Sequence, residues 1–490
     1  MSKSNGINRR EFLRLAGLGT AAAVVAGGVA GCSANSDEGT QPGGGIKFTK
    51  QTDALIIGTG GAGLWAAYEL IKAGVKPLIL EKQPSWGGDT ILACGVMPIR
   101  GTKAQAQQGI QDQSPEQSWQ ASKDALSKRY RVPELIRLTI VNAVRCVDIW
   151  TEEFKVQWTA FDKNAYTKFF HIPAPGMQND HKLLEPLVNF AKSNGAEFIF
   201  ETMAISLIVN QKNEVVGVRT QDQVTGKYMD IRAKKILLAT GDWVSHQEMV
   251  ARYLPKWEGL PMTTYTSMGD GVRMAQAIGA AVTRMEEPSN LMSHFAPTVV
   301  WGYYNTMIHV LPNAKRVNNE NALHEVADKV HEAGYEDWWT ICDDELVNGV
   351  HANTFKTREK AGGVVKANTI EELAEKTYLP LAQLKATIEK YNTDAKAGKD
   401  TEFGKTTAFV ALKPPYYAVP SRVVRYKTNG GLSMNDKCQV VDKAGTPIAN
   451  LYAAGSCQGE TTPNVHDVCA IGMHAGQQIA VALGKNKSSI

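Results

Sequence analysis

The sequence predicts an α/β fold, and three apolar runs of strand length predict it. The first, Asp53 to Ile57, feeds into Gly58-Thr-Gly60-Gly61-Ala62-Gly63 and a helical stretch from Leu64 to Ala73. The next apolar run, Lys76 to Leu80, ends at Glu81. The second run begins at Lys235 and ends in Ala-Thr240-Gly241; the third, from Asn450, ends in Ala-Ala-Gly455 before a helical pattern from Asp467 to Leu483. Strand, glycine loop, helix, strand and terminal acid form the order of a Rossmann-like unit.

Each part of that unit has a physical task. Gly58 permits a tight turn, Gly60 lets a pyrophosphate approach the backbone, and Gly63 lets helix and strand pack closely. The helix N-terminus then faces the phosphates, and Glu81 accepts hydrogen bonds from a ribose diol. Gly87-Gly88-Asp89-Thr90 follows soon after Glu81, and the runs ending at Gly241 and Gly455 lie far along the chain. FAD is long enough to need contacts from segments so widely separated, so FAD is favoured over a nicotinamide dinucleotide.

A chain of 490 residues exceeds one small domain. Its 43% hydrophobic and 21% charged content suits a large buried core. A net charge of +4, with no Lys/Arg block interleaved with aromatics, argues against nucleic-acid binding. No C-x-x-C or C-x-x-C-H occurs, which disfavours zinc ribbons, thioredoxin-type sites and covalently attached haem. Electrons must therefore come from outside the chain.

Near the start, Asn8-Arg9-Arg10-Glu11-Phe12-Leu13-Arg14 precedes a weakly apolar run too short for a convincing membrane span. The run ends in Val29-Ala30-Gly31-Cys32, which resembles a bacterial lipoprotein cleavage box with Cys32 as the acylated residue. Residues 1–32 are thus expected to be a twin-arginine lipoprotein signal, leaving the protein lipid-anchored and outward-facing on the cell membrane. Residues 33–51, rich in Gly and polar groups, are expected to be a flexible tether.

From Asp53 to Gly484 the chain resembles the flavoprotein family of soluble fumarate reductases, urocanate reductases and 3-ketosteroid dehydrogenases. The segments that carry the resemblance are GTGGAG at 58–63, EK at 81–82, GGDT at 87–90, ATGDW at 239–243 and MGDGVRMAQAIGA at 268–280. KRVNNE at 315–320, TNGGL at 428–432 and LYAAG at 451–455 complete them. The resemblance implies a glutathione-reductase-type FAD domain, residues 52–287 and 427–490, with an inserted α+β capping domain at 288–426. It implies FAD contacts from Gly58, Gly60, Gly61, Ala62, Gly63, Glu81, Lys82, Thr240, Gly241, Asp270, Gly455 and Ser456. Ala204 is expected beside the adenine, and Gly87, Gly88, Asp89 and Thr90 near the flavin ring. A cytochrome c, membrane-bound or extracytoplasmic, is the expected electron donor.

Departures from the family pattern shape the functional expectation. Fumarate reductases place an arginine acid four residues after the Glu of R-F-x-N-E; here Arg316-Val-Asn-Asn-Glu320 is followed by His324. The stretch Ser456 to Asp467 contains no arginine, and Tyr426-Lys427 stand where relatives carry a histidine before T-x-G-G. A guanidinium fork is the natural clamp for a carboxylate, so its loss argues against fumarate. His324, Tyr426 and His294 are the candidate proton donors, with a structural role for His324 equally open. Arg425 and Lys427 are candidate substrate cations. Arg316 is either a third or, with Glu320, a brace of the cap. His466 either caps the last helix or faces the flavin edge. Trp301, Tyr303, Tyr304, Trp338 and Trp339 pack a core or line a substrate pocket, and Cys94, Cys457 and Cys469 are expected to be small buried hydrophobes.

The expected activity is reduction of the double bond of an α,β-unsaturated acid or ketone by an exported terminal reductase. A ketosteroid-type dehydrogenase and a non-catalytic flavin- or ligand-binding lipoprotein are the alternatives.

Overall fold

The computed structural model describes residues 46–93, 97–159, 170–171, 173, 181–289, 291–293, 306–322, 325–348, 355–356 and 359–485. The signal with Cys32, most of the tether, Cys94, His294, Trp301, Tyr303, Tyr304 and His324 lie outside these residues.

Strand β1 (Phe48–Ile57) starts inside the segment expected to be tether. Phe48 pairs with Asp230 and lies under the Arg232 guanidinium, while Lys50 forms an ion pair with Glu197 at 2.6 Å. Those cross-strand partners draw residues 48–51 into the sheet. The second half of β1, Ala54 to Ile57, is buried, as befits a central parallel strand covered on both faces.

Helix α1 (Gly61–Lys72) follows, then β2 (Leu78–Leu80), α2 (Pro133–Glu152), β3 (Glu197–Ile199), β4 (Thr202–Val209), β5 (Val215–Asp222) and β6 (Tyr228–Leu238). A second region contributes β7 (Met292–Ser293), β8 (Met307–Val310), β9 (Asp337–Cys342), β10 (Val365–Ala367) and β11 (Tyr416–Val424). The chain ends with β12 (Gln439–Val441), β13 (Pro447–Ala453) and α3 (Val465–Ala482).

Among the described residues, the main sheet runs β12-β13-β6-β1-β2-β3, with β5 also on β6 and β4 on β5. The pairs from β13 to β3 are parallel, whereas β12 and β5 join antiparallel. Helix α3 crosses α1 so closely that a Cβ on Gly472 would lie 2.2 Å from the Ala62 carbonyl oxygen. This crossing pins the start of α1 and the glycine loop before it.

The second sheet runs β7-β11-β9-β8, with β10 on β11, all antiparallel. Its Trp338 and Val423 join the main core, while Ile308, Ile341 and Ala418 pack with Leu384, Ile388 and Tyr391 in a core of their own. The chain leaves and re-enters the first domain side by side, through bridges Pro288–Thr428 and Met262–Arg425.

Arg316 anchors this second region. It is buried and forked to Glu320 at 2.8 and 2.6 Å and to Asp400 at 3.0 and 2.8 Å. The Tyr391 and Phe403 rings lie 5.1 Å from it. With its nitrogens spent on two carboxylates, Arg316 is not a substrate ligand, and the expectation that it was one is corrected in favour of the brace. Arg316→Met would leave the buried Asp400 without its counter-charge and Glu320 with Lys405 at 3.9 Å in place of the guanidinium, and the expected loss is about 3–5 kcal/mol in denaturant unfolding. Asp337→Asn breaks the half-exposed Arg422 pair and is expected to cost about 1 kcal/mol or less in the same measurement.

Candidate active site

The turn after β1 sets the floor of the site. Gly58 has φ +108°, and a Cβ there would lie 2.2 Å from the Ala239 carbonyl oxygen. Gly63 abuts the Gly58 carbonyl, where a Cβ would sit at 2.1 Å. Gly60 differs: its Cβ would meet only Thr90 Oγ1 at 3.5 Å and the Gly87 carbonyl at 3.9 Å. It faces a cavity of about 1030 Å³.

Most residues expected to hold FAD converge on that cavity. Gly58, Gly60, Gly61, Ala62, Glu81, Lys82, Gly88, Asp89, Thr90, Ala204, Thr240, Gly241, Asp270, Gly455 and Ser456 all line it. Gly63 and Gly87 do not. Gly63 is behind the wall as the packing glycine, and the Gly87 amide donates to Thr59 Oγ1 at 3.2 Å, which turns it away from the expected flavin contact.

Hydrogen bonds fix the wall. Glu81 accepts from the Thr59 amide at 3.1 Å, the Thr59 hydroxyl at 2.5 Å and the Gln83 amide at 2.9 Å. Lys82 bonds Asp270 at 2.6 Å, leaving the buried Asp270 Oδ1 without a partner. Thr90 Oγ1 accepts from the Gly61 amide at 3.0 Å, tying the GGDT segment to the glycine loop. Asp89 accepts the hydroxyls of Thr264 at 2.6 Å, Thr266 at 2.7 Å and Ser267.

The strand that returns from the second region sorts its side chains by alternation. Tyr426 and Lys427 line the cavity; Arg425 does not. Arg425 is fully buried toward Gln247, which it meets at 3.2 Å, and burial lowers the proton affinity of its guanidinium. The expectation that Arg425 binds substrate is therefore corrected: it points away from the cavity. The Lys427 ammonium is held by Asn464 Oδ1 at 2.7 Å and the Pro463 carbonyl at 3.3 Å, and burial pulls it down to about 8.

His466 lies in the first turn of α3, where Asn464 is the N-cap, so the capping role does not hold. It lines the cavity with a buried Nδ1 that has no partner among the described residues. Asp242 was missed as a site residue although ATGDW was a matched segment: it lines the cavity, and burial raises its carboxyl to about 7. Its signal was an acid following a strand-end ATG. Trp338 and Trp339 do not line the cavity; Trp338 belongs to the core. Cys457 and Cys469 are buried thiols, as expected.

These residues fit FAD. The open face of Gly60, the start of α1 and the acceptors Glu81 and Asp270 suit phosphates and ribose hydroxyls. The cavity exceeds the roughly 300–1,000 Å³ of ordinary small-molecule sites, leaving space for a substrate beside the cofactor.

The family described as FAD binding domain matches residues 53–472. The chain belongs to that family. It is an FAD-dependent oxidoreductase. It is 29% identical over 444 residues to a probable fumarate reductase of Shewanella frigidimarina (strain NCIMB 400), covering 87% of this chain and 72% of the relative. It is 26% identical over 517 residues to the acrylate reductase flavoprotein subunit of Shewanella woodyi (strain ATCC 51908 / MS32), covering 96% of both. The open conformation of a flavocytochrome c3 fumarate reductase superposes with a TM-score of 0.75 at 24% identity, covering 99% of this chain and 83% of that one. It shares the fold.

The glycine geometry separates folding from cofactor binding. Gly60→Val projects into the cavity and is expected to leave a folded protein that retains no FAD, read by flavin absorbance and circular dichroism. Gly63→Val meets backbone at 2.1 Å and is expected to abolish soluble expression.

Proposed function

We propose that the enzyme reduces the carbon–carbon double bond of an α,β-unsaturated monocarboxylic acid or ketone, and that fumarate is a poor substrate. The observation that carries this reading is the cation inventory of the cavity wall. Lys82 is paired with Asp270, and the exposed Arg129 shares Glu287 with the Arg284 fork, while the buried Lys427 has no ion pair among the described residues. One unpaired ammonium suits one carboxylate or one carbonyl oxygen; a dicarboxylate asks for a second partner. The near-complete overlap with the acrylate reductase subunit supports the same substrate size.

FAD held along the Gly58–Gly63 loop by Glu81 and Asp270 would, once reduced, supply hydride to the electron-poor carbon. Lys427 orients the substrate and draws charge onto its carbonyl or carboxylate as the new C–H bond forms. Tyr426, beside it on the wall, is placed to give the proton to the other alkene carbon or to hold the carbonyl. His294 and His324 remain proposed proton donors from the inserted region, whose cap closure would exclude water.

Export by the twin-arginine route, anchoring through acylated Cys32 and reduction by an extracytoplasmic or membrane-bound cytochrome c complete the proposal. It is supported by Arg9-Arg10 and Val29-Ala30-Gly31-Cys32. Cys32→Ala is expected to move the protein from the membrane to the soluble extracytoplasmic fraction, read by immunoblot of cell fractions.

The substrate reading is tested by anaerobic reoxidation of the reduced enzyme against acrylates, cinnamates, enones and fumarate. Fumarate reoxidising the flavin as fast as the best acrylate or enone overturns it. The Lys427 charge sets a pH signature. The ammonium is present below about pH 8 and lost above it, so kcat/KM for acrylate is expected to fall above pH 8. Lys427→Met is expected to lower acrylate kcat/KM at least tenfold and to remove that pH dependence.

A further inference from the structure

Asp242 follows β6 and is buried on the cavity wall. Its carboxylate accepts from the Val244 amide at 3.0 Å and the Thr428 amide at 2.9 Å. The Ser267 hydroxyl donates to Asp89 and lies beside this carboxylate, close enough to lower its proton affinity. A hydroxyl carries one proton and can donate to only one of two carboxylates. Both contacts are satisfied when Asp242 is protonated and donates to Ser267 Oγ while Ser267 donates to Asp89.

Asp89 is the carboxylate richer in side-chain donors of the two. Three hydroxyls donate to it, from Thr264, Thr266 and Ser267. Thr266 is half-buried, and Thr263 and Tyr265 beside these donors are exposed, so this end of the chain of groups reaches solvent. The charged groups facing Asp242 are Asp89, from the turn at Gly88–Leu92, and Lys427, from the returning strand. Burial first, and then the Asp89 charge, hold the Asp242 carboxyl up at about 7.

We propose that two-electron reduction of bound FAD is coupled to uptake of a second proton by Asp242, relayed from solvent through Asp89 and Ser267. The first proton belongs to the flavin: FAD, two electrons and one proton give the reduced anion, FADH⁻. The second converts the Asp242 carboxylate to the acid. Asp89 receives a proton from solvent and passes it to Ser267 Oγ as Ser267 gives its own to Asp242. The electrons come from the external donor, or from a chemical reductant in vitro. Coupling arises because a negative charge added to a cavity shielded from water strengthens proton binding by a neighbouring carboxylate. The proposal requires FAD in this cavity and is independent of the alkene reduced.

The experiment is spectroelectrochemical titration of the FAD-loaded protein from pH 5.5 to pH 8, the upper bound set by Lys427, which loses its own proton above about pH 8. A tenfold change in proton activity moves a two-electron couple by about 30 mV for each proton bound. Below about pH 7 Asp242 is already protonated in the oxidised protein, so the expected slope there is about 30 mV per pH unit. Above it the slope should steepen to about 59 mV. In Asp242→Asn it should stay near 30 mV throughout. Ser267→Ala keeps the carboxylate and should keep the wild-type slope, while slowing proton uptake in stopped-flow reduction with a pH indicator. A one-proton slope in the wild type across the whole range overturns the proposal, whether or not Asp242→Asn folds. Steepening that persists in Asp242→Asn overturns it as well, and Ser267→Ala taking up protons as fast as the wild type overturns the relay. A protein without a flavin spectrum instead counts against FAD binding itself.

Discussion

The close approach of the first turn to the end of β6 is the constraint on which the site depends. Gly58 can adopt φ +108° against the Ala239 carbonyl only because it has no Cβ. Gly63 must then lie on the Gly58 carbonyl, and α3 must lie on α1 through Gly472. Those three contacts set the direction of α1, and with it the direction in which its first amides point. The cofactor loop is positioned by backbone packing, while the open side of Gly60 carries no packing duty. Structure and ligand recognition thus fall on different glycines of one six-residue motif.

The returning strand applies a second constraint. Two-residue alternation sends Tyr426 to the cavity and Arg425 to the interior. The Arg425 guanidinium makes one bond, to Gln247, and its Nε and Nη1 find no partner among the described residues. A buried guanidinium so placed is costly, and nothing in its local sequence announces it. The alternation runs past the end of β11 at Val424 through the bridge at Arg425 and stops there, where the chain turns and carries Lys427 toward Asn464.

These two constraints mark what the sequence made legible. The parallel core was readable because strands buried on both faces are written as unbroken apolar runs, and FAD contacts followed from motifs tied to backbone geometry. The start of β1 was not readable: Phe48 to Gln51 look polar, and what orders them is Asp230, Arg232 and Glu197, far along the chain. Arg316 as a brace depends on Asp400, 84 residues away, although Glu320 at four residues hinted at it. Asp242 was legible only as an acid after a strand-end ATG, and His466 only as one of two alternatives, because tertiary packing decides which side chains reach the cavity.

The charges on the cavity wall argue together for the chemistry. Lys82 is neutralised by Asp270, and Arg129, which shares Glu287 with Arg284, is exposed enough for solvent to screen its charge. What remains is Lys427 on one side and the Asp89–Ser267–Asp242 unit on the other, within range of each other's charge. Burial pushes the ammonium down to about 8 and the Asp242 carboxyl up to about 7, so both titrate close to neutrality. A site poised in this way changes its charge readily when electrons arrive or an anion binds, because either event tips groups already near their midpoints. An arginine clamp would hold its charge at every pH and would fix a dianion firmly. A lysine near its midpoint holds its charge conditionally, and that ties the field of the site to the protons that the reduction consumes.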